Sequence, residues 1–178
     1  MSEFPFLNDD DFSSFFLLPF KVLRDTKLQT FQYKLINRII PCGVALQSWN
    51  LKASDTCQLC DAHDSLSHYF YDCPMTNAFW TNVINWTKNR TNTYLPLSKV
   101  DILFWVPLYD RFMLCLNFII LHGKWHLFRC KLNSDQPSFL DYLVELKNEL
   151  NTERYISAVN GEISQFEEKW GIFYEELF

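Results

Sequence analysis

Residues 56–74, TCQLCDAHDSLSHYFYDCP, constrain the chain more than any other stretch, because they hold three of its six cysteines and two of its four histidines. The spacing is Cys57-x2-Cys60-x7-His68-x4-Cys73. Two thiolates separated by two residues can grip one ion from a single tight turn. An imidazole and a third thiolate a short step later can close a tetrahedron, with sulfur at ~2.3 Å and nitrogen at ~2.0–2.1 Å from the metal. Four such donors leave no open position, which is the pattern of one structural Zn2+ and not of a catalytic one. The neighbours Asp55, Gln58, Asp61, Asp64 and Asp72 are poor core material for ordinary buried cysteines. A segment with so little apolar substance needs a clip to become ordered. His63 is a competing ligand, although Cys60-x2-His63 encloses a cramped loop.

The compartment bears on this reading. FSSFFLLPF at 12–20 is apolar, but it follows an acidic run and lacks a small-residue cleavage site, so it is not a secretory signal. The longest apolar run, FMLCLNFIIL at 112–121, is about half the ~20 residues that a membrane helix needs. We therefore expect an intracellular protein, of nucleus or cytoplasm, without a membrane partner. In that reducing setting clustered cysteines read as metal ligands and not as disulfides. The sequons at Asn85 and Asn89 are then accidental.

The periodicity is helical throughout, and the expected fold class is mainly α with a small embedded Cys-Cys-His-Cys module. Hydrophobic residues make up 48% of the chain and aromatics 17%, against only four glycines, which suits thick helical packing. In DTKLQTFQYKLINRIIP, Thr26 and Gln29 form a capping-box pattern and Pro41 is a stop. Leu28, Phe31, Leu35 and Ile39 form the apolar stripe between them. GVALQSWNL reads as a short helix or turn. Pro74 suits a first helical turn, and Phe79, Trp80, Val83, Ile84 and Trp86 line a helix through about Lys88, before the loop NRTNTYLPLSK. Residues 108–131 read as a long buried helix with Gly123 as a soft point. QPSFLDYLVELKNEL starts another helix, capped near Ser138 or Pro137. A last stripe runs Ile163, Phe166, Trp170, Phe173, Tyr174 and Leu177, and core is its expected role. This divides the chain into an acidic, aromatic segment (1–20), a zinc-binding domain (21–107, with the zinc module at 55–75) and a helical tail region (108–178).

Charge is partitioned. The formal net charge of −5 argues against a whole surface that attracts phosphate. Residues 21–52, however, carry Lys21, Arg24, Lys27, Lys34, Arg38 and Lys52 against the single acid Asp25. On a helix Lys27, Lys34 and Arg38 fall within about 40° of one another. That basic edge, with Lys21 and Arg24, is the candidate surface for RNA or DNA, its alternative being an ordinary solvated helix face. Phe31 and Tyr33 interleave with the bases, with Phe31 assigned to the core. The zinc segment is the opposite case: three thiolates around Zn2+ leave −1, with four aspartates nearby. Lys124, Arg129 and Lys131 form a weaker, scattered second patch. His122, His126 and Cys130 share a helix face at i, i+4 and i+8 and are expected to be packing residues. Gly123 stands where an HExxH motif needs Glu, so hydrolytic zinc is excluded there.

Taken in order, KLQTFQYKLINRIIP, the cysteine cluster and the following CP…FW…W resemble the zinc-binding region after the reverse transcriptase in non-LTR (LINE-type) retrotransposon polyproteins. ILHGKWHLFRCK…PSFLDYLVELK is similar to the C-terminal tail of the same polyproteins, and the likeness spans roughly residues 17–150. The interval of seven between Cys60 and His68 separates the cluster from retroviral nucleocapsid knuckles, whose interval is shorter. The resemblance implies Cys57, Cys60, His68 and Cys73 as ligands, a non-catalytic role beside a retrotransposon polymerase, and support of RNA or DNA binding in target-primed reverse transcription. LNDDDF at 7–12 has acids but neither the flanking strands nor the length of a polymerase palm, and no endonuclease constellation is seen. The competing expectation is a zinc-stabilised interaction or scaffold domain without nucleic-acid affinity.

Overall fold

The computed structural model describes residues 9–52, 54–93, 97–107 and 110–174, with side chains from residue 16 onward. The acidic side chains at 9–11, the expected helix start at Leu108 and the stripe's Leu177 lie outside these residues. Among the described residues the architecture is helical, with one isolated bridge between Thr56 and His63 in place of any sheet. The helices are α1 (Asp9–Val22), α2 (Thr26–Ile36), α3 (Gly43–Ser48), a π-helical turn (His68–Asp72), α4 (Pro74–Thr91), α5 (Lys99–Leu103), α6 (Arg111–Asn133), α7 (Phe139–Val159) and α8 (Ile163–Tyr174). No described helix is long and apolar enough to cross a membrane.

α6 is the hub. It is buried from Cys115 to Leu121 without interruption, then at His122, Gly123, Lys124, His126, Leu127 and Cys130. A helix apolar on every side needs neighbours on every side, and α1, α2, α7 and α8 supply them. One cluster of buried apolar side chains runs from Leu18 in α1 to Phe173 in α8, and so draws on both sides of residue 107. Trp170 is 2% exposed within it, in keeping with the core role expected of the last stripe.

Buried polar groups pin the connections. The Asn117 amide bonds to Val106 in both directions, at 2.9 Å from the Val106 N–H and 2.8 Å to its carbonyl. The buried end of α5 exposes the carbonyls of Leu103 and Phe104, which Gln32 and Lys124 satisfy. Gln32 Nε2 donates to Phe104 O at 2.8 Å, and Lys124 Nζ donates to Gln32 Oε1 at 2.6 Å. Lys124 is fully buried, and desolvation pushes its pKa well below the ordinary lysine range.

Several expectations need correction. The cap of α2 is Asp25, whose carboxylate accepts from Lys27 N–H at 2.7 Å, and Gln29 turns away to Leu23 O. α2 ends at Ile36, short of Pro41, and Arg38 takes a left-handed φ of 58°. The expected stripe residue Ile39 is consequently half exposed. α4 runs to Thr91, past Lys88, and stops at a left-handed Asn92. Gly123 is not a soft point: a Cβ there would lie 2.7 Å from Trp80, so glycine lets α4 rest against the backbone of α6. The weak second basic patch also dissolves, since Lys124 is buried, Arg129 pairs with Glu145 and Lys131 pairs with Asp64.

His122 and His126 are packing residues. His122 lies 4.2 Å from the Phe118 ring, while His126 stacks on Phe79 and touches Glu145 and Cys130. Burial lowers the His122 pKa to about 3. An unfolded histidine titrates near ~6.5, so on acidification the unfolded chain takes up the proton first. The stability contributed by the neutral ring is therefore full above pH ~6.5 and is lost as pH falls toward 3. We expect His122→Phe to flatten the fall of unfolding free energy across that window by up to ~1.4 kcal/mol per pH unit. Urea titrations of both proteins in one zinc buffer would check this, and an unchanged slope would contradict it.

Candidate metal centre

Cys57 and Cys60 lie on a loop that folds back on itself. Cys57 N–H donates to Ala62 O at 2.7 Å, Asp61 N–H to Cys57 O at 3.0 Å and Asp64 N–H to Asp55 O at 2.7 Å. The reversal passes through Asp61 at φ 61°, a left-handed conformation that a short polar side chain tolerates. Leu59 N–H lies 3.5 Å from Cys57 Sγ, a donor suited to a thiolate.

His68 and Cys73 reach the same place through an irregular turn. Five residues apart on an α-helix, they would diverge by about 140°. The π-helical turn widens the coil, closing with Cys73 N–H to His68 O at 2.8 Å, and returns both side chains to one side. Pro74 then starts α4, where its missing N–H is not needed. α4 also holds the turn's carbonyls: Thr76 Oγ1 donates to Tyr69 O and Trp80 Nε1 to Phe70 O. The Tyr69 hydroxyl donates to Leu127 O on α6.

The four donor atoms of Cys57, Cys60, His68 and Cys73 all lie within 4.8 Å of one another. Cys60 Sγ is 3.2 Å from His68 Nε2 and 3.8 Å from Cys73 Sγ. A tetrahedral zinc with the usual bond lengths has an S···S edge of about 3.8 Å and an S···N edge of about 3.5 Å. The two edges at Cys60 thus lie close to those of a tetrahedral zinc site, and the remaining donors are near enough to share the same ion. Three are buried and Cys60 is partly so, and three thiolates with one imidazole select zinc over hard cations. The structure brings together all four residues that the spacing singled out. It leaves the competing ligand His63 outside, 65% exposed, with its Nδ1 2.7 Å from Asp55 Oδ2.

The acidic surroundings are less open than the sequence suggests. Asp64 is 1% exposed, and its carboxylate accepts from Lys131 Nζ at 2.6 and 2.8 Å and from Gly43 N–H at 2.6 Å. Lys131 Nζ also sits 3.9 Å from the centre of the Tyr69 ring. A Cβ on Gly43 would come within 2.7 Å of Asp64, so the close approach needs glycine. Asp72 pairs with Lys99 and Asp55 with His63. Sequence reasoning missed Asp64, Lys131 and Gly43 as the clamp of the zinc loop. No local signal separates Asp64 from its neighbours, because its partner lies 67 residues away.

The five basic residues are spread over the end of α1, α2 itself and the turns on either side of α2. Lys21, at the end of α1, is exposed. Arg24 binds Glu162 at 3.2 Å and stands 3.9 Å from Glu153, so its charge is locally met. Lys27 and Lys34 are exposed on one side of α2, with Lys27 Nζ 4.6 Å from the centre of the Trp125 ring. Arg38 is exposed on the turn after α2, not on the helix itself. Phe31 is core at 3% exposure, as its stripe position implies, whereas Tyr33 is about half exposed.

No curated protein and no solved structure matches the chain. The description of the family that does match names zinc binding and no catalytic function. Residues 13–80, which run from α1 into α4 and contain all four donors, match the model of the family described as zinc-binding in reverse transcriptase, and in that segment the chain is similar to this family.

Proposed function

We propose that this chain is a non-catalytic module of a non-LTR retrotransposon-type reverse transcriptase polyprotein, in which one structural zinc holds the loop at 54–67 against α4 and α6 and the module supports RNA or DNA binding during target-primed reverse transcription. The observation that carries the structural role is the closed donor set: four protein ligands within 4.8 Å leave no position for a substrate. The contact to nucleic acid is assigned to Lys27, Lys34 and Arg38, with Lys21 in support. Arg24 contributes less than its charge suggests, because Glu153 and Glu162 already face it.

A salt series tests the nucleic-acid role. Contacts to three or four phosphates give a slope of log affinity against log salt of about −3 to −4 on duplex. Lys34→Glu/Arg38→Glu is expected to flatten that slope by about 2. Absence of binding at low salt would favour the second reading, an interaction or scaffold domain. That reading has its own support in an exposed apolar face on α7, formed by Leu140, Val144, Tyr155 and Val159.

A further inference from the structure

Between α2, the turn that follows it and α6 lies an open groove of about 520 Å³, within the ~300–1,000 Å³ typical of ligand sites. Lys27 and Lys34 stand on one wall, Ile39 and Pro41 close one end, and Trp125 and Phe128 form the other wall. Among the described residues no carboxylate lines it. Asp25 accepts from the Lys27 backbone N–H and Glu149 feels the Lys27 charge, but neither is among the residues that line the groove. Trp125 and Phe128 are only partly buried, with ring centres 5.6 Å apart, and both rest edgewise or tilted on the core residue Phe31. The early end of α2 at Ile36 turns Ile39 out toward this space.

Resting on the nucleic-acid role above, we infer that this groove takes a single strand, with Trp125 and Phe128 as platforms for bases and Lys27 and Lys34 for the adjoining phosphates. Cations facing aromatic rings across a groove that no described carboxylate lines match a polyanion whose bases carry exposed π faces. A duplex hides those faces within its stack and cannot present them to a recessed indole. Lys27 now covers the Trp125 ring at 4.6 Å. A base stack is worth more than an exposed cation–π contact, so an incoming base displaces the ammonium toward its own phosphate.

The test uses the zinc-loaded full chain and three fluorescent probes at low salt: a deoxythymidine 12-mer, a uridine 12-mer and a duplex of the same length. Either single strand is expected to bind about tenfold more tightly than the duplex, and the tighter of the two names the strand type. Trp125→Leu, which keeps apolar bulk, is expected to weaken single-strand binding about tenfold with an unchanged salt slope, and Trp125→Tyr to restore it. In the wild type, photo-crosslinking of a bromodeoxyuridine 12-mer is expected to label Trp125 or Phe128, a readout that stands even where a variant fails to fold. Equal binding of duplex and single strand, with no effect of Trp125→Leu and crosslinks elsewhere, would overturn the groove while leaving the nucleic-acid role intact. No binding of any probe would overturn both.

Discussion

Cys60→Ser is expected to release the zinc and with it the order of residues 54–73, lowering the unfolding midpoint of the chain by well over ten degrees. Cys60 is the pivot of the donor set, 3.2 Å from His68 Nε2 and 3.8 Å from Cys73 Sγ, so its loss leaves the others without a common partner. The effect is large because the tip of the loop buries little of its own: Gln58, Asp61, Ala62 and His63 are exposed, and beyond the zinc the loop is tied mainly through the Asp64–Lys131 clamp at its far end. Structural zinc in small domains contributes ~10–16 kcal/mol of apparent binding free energy, comparable to the whole stability of ~5–15 kcal/mol of a typical domain. Disorder would extend past the loop, since the π-helical turn carries Tyr69 and Phe70 into the core. Thermal unfolding followed by far-ultraviolet circular dichroism, with and without a chelator, checks this. Hydrogen exchange then locates the loss, which should centre on 54–73 and spare the α7–α8 pair. A chelated protein that melts where the zinc-loaded protein does would contradict a structural role.

The second large effect is expected at the clamp. Lys131→Met should destabilise the fold by ~3–5 kcal/mol, because it leaves the Asp64 carboxylate buried with only the Gly43 N–H as partner among the described residues. Asp64→Asn keeps an acceptor for Gly43 but strands the Lys131 ammonium, which is itself only 18% exposed, and should cost somewhat less. Changing both is expected to cost less than the sum of the two, since the main penalty of each single change is an uncompensated charge. A double-mutant cycle by urea unfolding at constant zinc measures this coupling. Strict additivity would mean that Asp64 and Lys131 stabilise the fold separately and that the zinc loop is not clamped through them.

What was legible in the sequence were features fixed by local chemistry. Cys57, Cys60, His68 and Cys73 could be read because metal chelation imposes short spacings, and the structure brings them together. The helical class and the stripes of α4 and α8 could be read because burial follows a 3.6-residue period. What escaped depends on partners far along the chain. Lys124 looks like a surface charge until Gln32 and the Leu103 carbonyl meet it. Arg24 looks like a phosphate ligand until Glu153 and Glu162, on the far side of the sequence, stand beside it. Trp125 and Phe128 look like core residues of a long helix until α2 ends early and opens a groove beside them. The end of α2 itself was misjudged for a local reason, since Ile39, Ile40 and Pro41 mimic a continued stripe with a stop. The chain instead turns at Asn37 and Arg38, and the next buried position is Ile40.

The most direct measurement is X-ray absorption at the zinc edge on protein purified without added chelator, paired with native mass spectrometry. The expected result is one zinc per chain with three sulfurs at ~2.3 Å and one nitrogen at ~2.0 Å. Metal retained only through oxygen donors, a shell with two sulfurs, or a folded chain of metal-free mass would contradict it.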